Sequence, residues 1–158
     1  MKMILKYFGF FILFSAFASI SYAQNDTTII KVPKFKPPVV KTFLGDIQNG
    51  AQVTADQGKH LIGLPLDIKD DKNNSYAIDS YQFLYKQKSY TLNDETGKRD
   101  VNFSITSARF DSASLPKVWV DNIRRQLQPD EQLYFFDIVV KDKEGRKFFA
   151  PELKITIK

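Results

Sequence analysis

The residues that could carry chemistry are few in this chain, and their surroundings deny them partners. His60 is the only histidine, close behind Gly58 and ahead of an apolar run. A catalytic dyad or metal site built on it would need partners distant in sequence that no motif identifies. It reads as a histidine at the surface or at the start of a strand. Cysteine is absent, which excludes disulfides, thiolate nucleophiles and cysteine-ligated metals together. Gly45 and Gly50 have the spacing of a phosphate-binding loop, but Ala51-Gln52 follow where Lys and Ser or Thr must stand. Neither GxSxG nor GxGxxG occurs. Asp71, Asn73 and Ser75 begin like a calcium loop, yet Tyr76 takes the place of the sharp-turn glycine and Gln82 that of the bidentate glutamate. A polar hairpin loop is expected there. Carboxylates fall in turns rather than in pairs on strands, which leaves no glycosidase pair. The expectation is a protein with no catalytic residue, cofactor or metal, and not an enzyme.

Aromatic side chains are the more conspicuous resource: 14 Phe, 7 Tyr and 1 Trp. Tyr81, Phe83 and Tyr85 alternate along residues 76–86 and share one face of a strand. Such a face serves as core or stacks on a sugar or a protein partner, and both uses stay open at this level. Tyr81, Tyr85 and Tyr90 are the candidate binding aromatics. Lys34 and Lys36, in a cationic stretch near the start, are the candidate contacts for an acidic partner, against the plainer reading of a solvated linker.

The elements that must position these residues are mostly strands. Short apolar or alternating runs at 41–44, 60–68, 76–86, 89–93, 101–105, 132–141, 147–150 and 153–158 are separated by turn signals. Among the signals are Asn49-Gly50, Asp94-Glu95-Thr96-Gly97 and Asp142-Lys143-Glu144-Gly145. This is the pattern of a mainly β domain, a sandwich of about seven strands. Gly63 and Pro65 interrupt the second run and suggest an edge or a bulge. One helix is expected over 116–128, with Ser114 as cap, Pro116 in the first turn and Pro129 as stop. Trp119, Ile123 and Leu127 form its apolar stripe and should face the sheet.

The N-terminal residues read as an export signal. Lys2 and Lys6 precede an apolar run over 8–18, and Ser21-Tyr22-Ala23 offers small residues where a signal peptidase reads them. The run is short for a stable membrane anchor. Residues 1–23 are therefore expected to be removed between Ala23 and Gln24, leaving 135 of the 158 residues, enough for one domain. Residues 24–40 contain Pro33, Pro37 and Pro38 and read as a linker, with 27–32 able to form one short strand; the domain spans 41–158. The net charge of +5 falls to +3 without Lys2 and Lys6, and opposite charges are interspersed, which is no nucleic-acid-binding balance. A cysteine-free exported domain without a lipidation site suits a bacterial periplasm or the medium outside.

The order of motifs carries a family resemblance. Ile78-Asp79-Ser80-Tyr81-Gln82-Phe83 is followed by Ile123-Arg124-Arg125-Gln126-Leu127-Gln128-Pro129, then Leu133-Tyr134-Phe135-Phe136-Asp137-Ile138 and Lys141-Asp142-Lys143-Glu144-Gly145-Arg146. A closing Leu153-Lys154-Ile155-Thr156-Ile157 completes it. From about residue 43 to the end the chain resembles the C-terminal periplasmic domain of GldM, a gliding-motility and type IX secretion protein of Bacteroidota. The resemblance implies an immunoglobulin-like β-sandwich used for contact with another envelope protein. The GldM motor component has a membrane helix and several periplasmic domains in series. This chain has a cleavable signal and room for one domain, so binding rather than force transduction is expected. A secreted carbohydrate-binding sandwich is the alternative.

If the export reading holds, Edman sequencing of protein taken from the native envelope returns Gln24 as the first residue. Retention of residues 1–23 in that material overturns it.

Overall fold

The computed structural model describes residues 34–158, and the compact unit is Lys36–Lys158. The expected signal peptide, its cleavage residues Ala23 and Gln24, and the short strand at 27–32 lie outside the described residues. The unit is mainly β. Its elements run β1 (Val40–Leu44), β2 (Ala51–Val53), α1 (Ala55–Leu61), β3 (Leu66–Asp70), β4 (Ala77–Leu92), β5 (Arg99–Phe110), α2 (Lys117–Gln126), β6 (Gln132–Lys141), β7 (Lys147–Phe149) and β8 (Leu153–Ile157).

Six strands form one sheet in the order β2-β8-β6-β4-β5, with β7 beside β6, while β1 and β3 form a separate antiparallel pair. The division is uneven, unlike the near-balanced sheets of an immunoglobulin sandwich. β6 is the hub. One edge pairs with β4 along its length; the other is shared by β8, opposite residues 132–135, and β7, opposite 139–141. β2 joins β8 in the one parallel pairing, with Ala51 opposite Ile155.

Two irregularities turn β4 and β6 and then restore their register. Asp79 is an extra residue in β4, and Asp137, at φ 48°, is an extra residue in β6. The second switches the inward side chains of β6 from Leu133 and Phe135 to Ile138 and Val140. Gln82 donates to Asp137 at 2.8 Å across this bulge. Asp79 lies between Lys141 and Lys147, whose hydrogen bonds hold its carboxyl below the usual carboxylate range.

The core lies between the inner face of the large sheet and a layer made of β1, β3 and the two helices. Tyr81, Phe83, Phe135, Leu133, Ile138, Leu153 and Ile155 come from the sheet; Leu44, Ile68, Ile62 and Ile123 come from the covering layer. Thr42 Oγ1 donates to the Pro151 carbonyl at 2.6 Å and the Leu66 amide to the Ala113 carbonyl at 2.8 Å, which ties the small sheet to the large one. Among the described residues no helix is long and apolar enough to cross a membrane.

Three sequence expectations change. The run at 60–68 is not one strand: His60 and Leu61 lie in the last turn of α1, and β3 starts only at Leu66. Its helix was signalled by Thr54 and Gln57, which form a reciprocal capping box. Gly58 argued against a helix, yet it is needed there, because a Cβ would come within 2.7 Å of Leu127 and 2.8 Å of Ile157. The strands at 76–86 and 89–93 are one sixteen-residue strand, β4. The α2 helix is entered through Pro116 at its N-cap with no side-chain cap, so Ser114 does not play that part.

The helix itself docks as its stripe predicts. Ile123 and Leu127 are buried, and half-buried Trp119 meets Phe83 and Phe110 edge-on at 5.8 and 5.5 Å. Ile123→Ala should cost about 2–5 kcal/mol, the range for emptying a packed apolar site. Chemical denaturation measures it, and an unchanged midpoint would show that α2 contributes nothing through this face.

Candidate functional site

The candidate aromatics separate in the structure. Tyr81 and Tyr85 are core residues, with Tyr81 enclosed by Phe110 and Phe135. Burial pushes both phenols up, and at Tyr85 the hydrogen bond to Glu131 adds to it. Neither ring can meet a sugar or a partner, which corrects their candidacy. Tyr90 points to the opposite face and is exposed. Lys34 and Lys36 are exposed as well.

What surrounds Tyr90 is built from a strand pair that outruns its sheet. β4 is held by β6 only as far as Lys86, opposite Gln132; beyond it β4 pairs with β5 alone. The result is a two-stranded arm closed by the turn at 93–98. Asn93 organises this turn: its side chain accepts from the amides of Glu95 and Thr96, both at 3.0 Å. Gly97, at φ 66°, returns its amide to the Asn93 carbonyl at 2.8 Å, and a side chain there would strain that backbone.

Glu131 forms the root of the arm. It is fully buried, and its carboxylate accepts from the Lys88 amide at 2.8 Å, the Gln128 amide at 3.1 Å and the Tyr85 hydroxyl. Lys88 Nζ lies 2.6 Å from Asp130, which raises the pKa of the lysine.

The two faces of the arm differ sharply. Gln87, Ser89 and Thr91, opposite Ser104, Asn102 and Asp100, make a polar face continuous with the side covered by α2. The outer face carries Lys86, Lys88, Tyr90 and Leu92 on β4 and Arg99, Val101, Phe103 and Ile105 on β5. Tyr90, Leu92, Val101, Phe103 and Ile105 are 52, 59, 50, 43 and 64 % exposed. That is a contiguous apolar strip on a free surface, the kind that marks an interaction site. Lys86 Nζ stands 4.2 Å over the Phe103 ring. Farther across the same face Tyr134 and Phe136 stack on each other at 4.9 Å, and Phe149 is exposed.

Among the described residues β5 also leaves one edge unpaired, and the phase of that edge can be read. The Asn93 amide donates to the Lys98 carbonyl at 2.9 Å, so bonded pairs recur at 91/100, 89/102 and 87/104. The intervening residues, Val101, Phe103 and Ile105, then turn their amides and carbonyls to the open edge. The Lys88 amide agrees with this phase, since it reaches Glu131 rather than β5. Sequence reading found Val101 to Ile105 as a strand but not its exposure. The signal available was its position between two polar turns with no apolar run long enough to cover it.

His60 lies beside a different hollow, a cleft of about 470 Å³ with Leu61, Leu64 and Ile47 in its walls and Asp46 and Asp56 nearby. His60 is in the last turn of α1 rather than at a strand start. Among the described residues no three His, Asp or Glu side chains are grouped to hold a metal. The loop at 70–76 is organised by Asp70, whose carboxylate accepts from the Lys72 and Asn74 amides, Asn74 Nδ2 and the Tyr76 hydroxyl. Set against protein-family models and against curated proteins, the chain matches none.

Glu131→Ala should destabilise the domain by about 3 kcal/mol or more, because two buried amides and a hydroxyl lose their acceptor. Glu131→Gln keeps an acceptor oxygen and should cost less. Equal unfolding midpoints for wild type and both variants would show that the arm has no root at this residue.

Proposed function

We propose that this chain is an exported, periplasmic protein–protein interaction module, similar to the C-terminal domain of GldM and associated with the type IX secretion and gliding envelope machinery. It acts by binding another envelope protein and not by catalysis. The observation that carries this reading is the β5 edge: twelve residues long, unpaired on one side among the described residues, with exposed apolar residues at alternate positions. The other outer strands of the large sheet, β2 and β7, have three residues each. Short edge strands are a common protection against unwanted pairing, and β5 lacks it. It also has no proline and no bulge against β4. Strand addition to such an edge satisfies backbone groups directly and needs no conspicuous side-chain motif.

The carbohydrate-binding alternative needs ring faces on an open surface. Tyr81 and Tyr85 are buried and Tyr134 and Phe136 cover each other, which leaves Tyr90 as the exposed one of its three candidate rings.

The test compares envelope proteins co-purifying with the wild-type protein and with Ile105→Lys, alongside a glycan array. The expected outcome is a saturable envelope partner lost in the variant. Absence of any envelope partner, together with a saturable, aromatic-dependent glycan signal, replaces this reading with carbohydrate binding.

A further inference from the structure

Resting on that reading, we infer that the β5 edge takes one kind of ligand: an extended acidic segment of a partner protein, added antiparallel, with apolar side chains at alternate positions between two terminal carboxylates. The backbone sets the frame. Val101, Phe103 and Ile105 present their amides and carbonyls outward, so an added strand gains bonded pairs at these three residues. Their side chains stand on the outer face, and the side chains opposite them must be apolar to bury the strip they form with Tyr90.

Charge selects the ends of the ligand. The charged residues of β5 on this face are Arg99 and Arg109, one at each end, and neither is held in an ion pair among the described residues. Arg109 donates to Ser80 Oγ at 2.6 Å, which aims the guanidinium without neutralising it. Lys86, over Phe103, adds a third cation one strand further in. No carboxylate of β5 shares this face, because Asp100 alternates to the other side. A cationic strand in the ligand would therefore be repelled at both ends, and an acidic one attracted. Asp94 and Glu95, in the turn beyond Arg99, bound the acidic ligand by repulsion and limit how far it extends.

A second copy of this chain is the competing occupant. Two β5 strands paired about Phe103 would align Val101 with Ile105 but would bring no carboxylate onto Arg99, which would face Ser107.

The experiment titrates the purified protein with a synthetic dodecapeptide bearing a glutamate near each end and valine or tyrosine at the alternate positions between. A lysine-for-glutamate version of the peptide and anionic phospholipid vesicles serve as comparisons. The acidic peptide should bind at least about tenfold more tightly than the lysine version. Phe103→Pro, which removes an amide β4 does not use, should weaken binding about tenfold, with circular dichroism confirming the fold. The surface double variant R99E/R109E should reverse the preference between the two peptides. Equal binding of both peptides, insensitivity to Phe103→Pro, preferential vesicle binding, or self-association through β5 that excludes the peptide each overturns the inference. If the peptide fails while an envelope protein is still captured in the preceding experiment, the edge assignment falls and the interaction reading stands. If both fail, the reading falls with it.

Discussion

Glu131 is the point at which three parts of the domain are fastened. Its carboxylate binds Gln128 as the chain leaves α2, and Tyr85 and Lys88 on β4; its carbonyl accepts the Ile157 amide of β8 at 2.9 Å. A buried carboxylate is costly unless its acceptor sites are filled, and here they are filled by two amides and a phenol rather than by a buried cation. Because its donors come from three stretches of chain, Glu131 fixes the helix exit, the middle of the longest strand and the end of the sheet relative to one another. It also marks where β4 stops being a sheet strand and becomes an arm.

That boundary explains the distribution of apolar surface. Up to Lys86 the inner residues of β4 pack against Phe135, Trp119 and Ile123. Past Gln87, which still borders α2, no described residue packs over the strand pair, and the inner positions become polar: Gln87, Ser89 and Thr91. The outer positions do the reverse and remain apolar or cationic. An arm with no other use would be polar on both faces, so the retained hydrophobicity marks a surface under a different requirement from the core.

Much of the architecture was legible from periodicity. β6, β8, the core of β4 and the docked face of α2 follow directly from alternating or helical spacing of Leu, Ile, Phe and Tyr. What was not legible depends on contacts between distant segments. Gly58 looks like a helix breaker until Leu127 and Ile157 are seen to fill the space a side chain would take. The register switch at Asp137 is invisible in a run that reads as uninterrupted apolar strand. Tyr81 and Tyr90 read as members of two strands in sequence; they share β4, where odd against even spacing puts them on opposite faces, and which face is core depends on where α2 and the small sheet land. The edge position of β5 is likewise a property of strand order, which local pattern does not encode.

The parallel pairing of β2 with β8 has a temporal consequence. Ala51 sits opposite Ile155, and the Gly50 amide donates to the Lys154 carbonyl at 2.9 Å, so an early strand of the domain is completed by the last one. A ribosome that has made β1 through β6 has released a chain that cannot yet close its sheet, since β8 supplies Leu153, Ile155 and Ile157 to the core as well as the seat for β2. Folding dominated by such distant pairings is slow and arrives as a single late event. Until β8 is made, β2 has no strand to pair with and one edge of β6 stays open at residues 132–135.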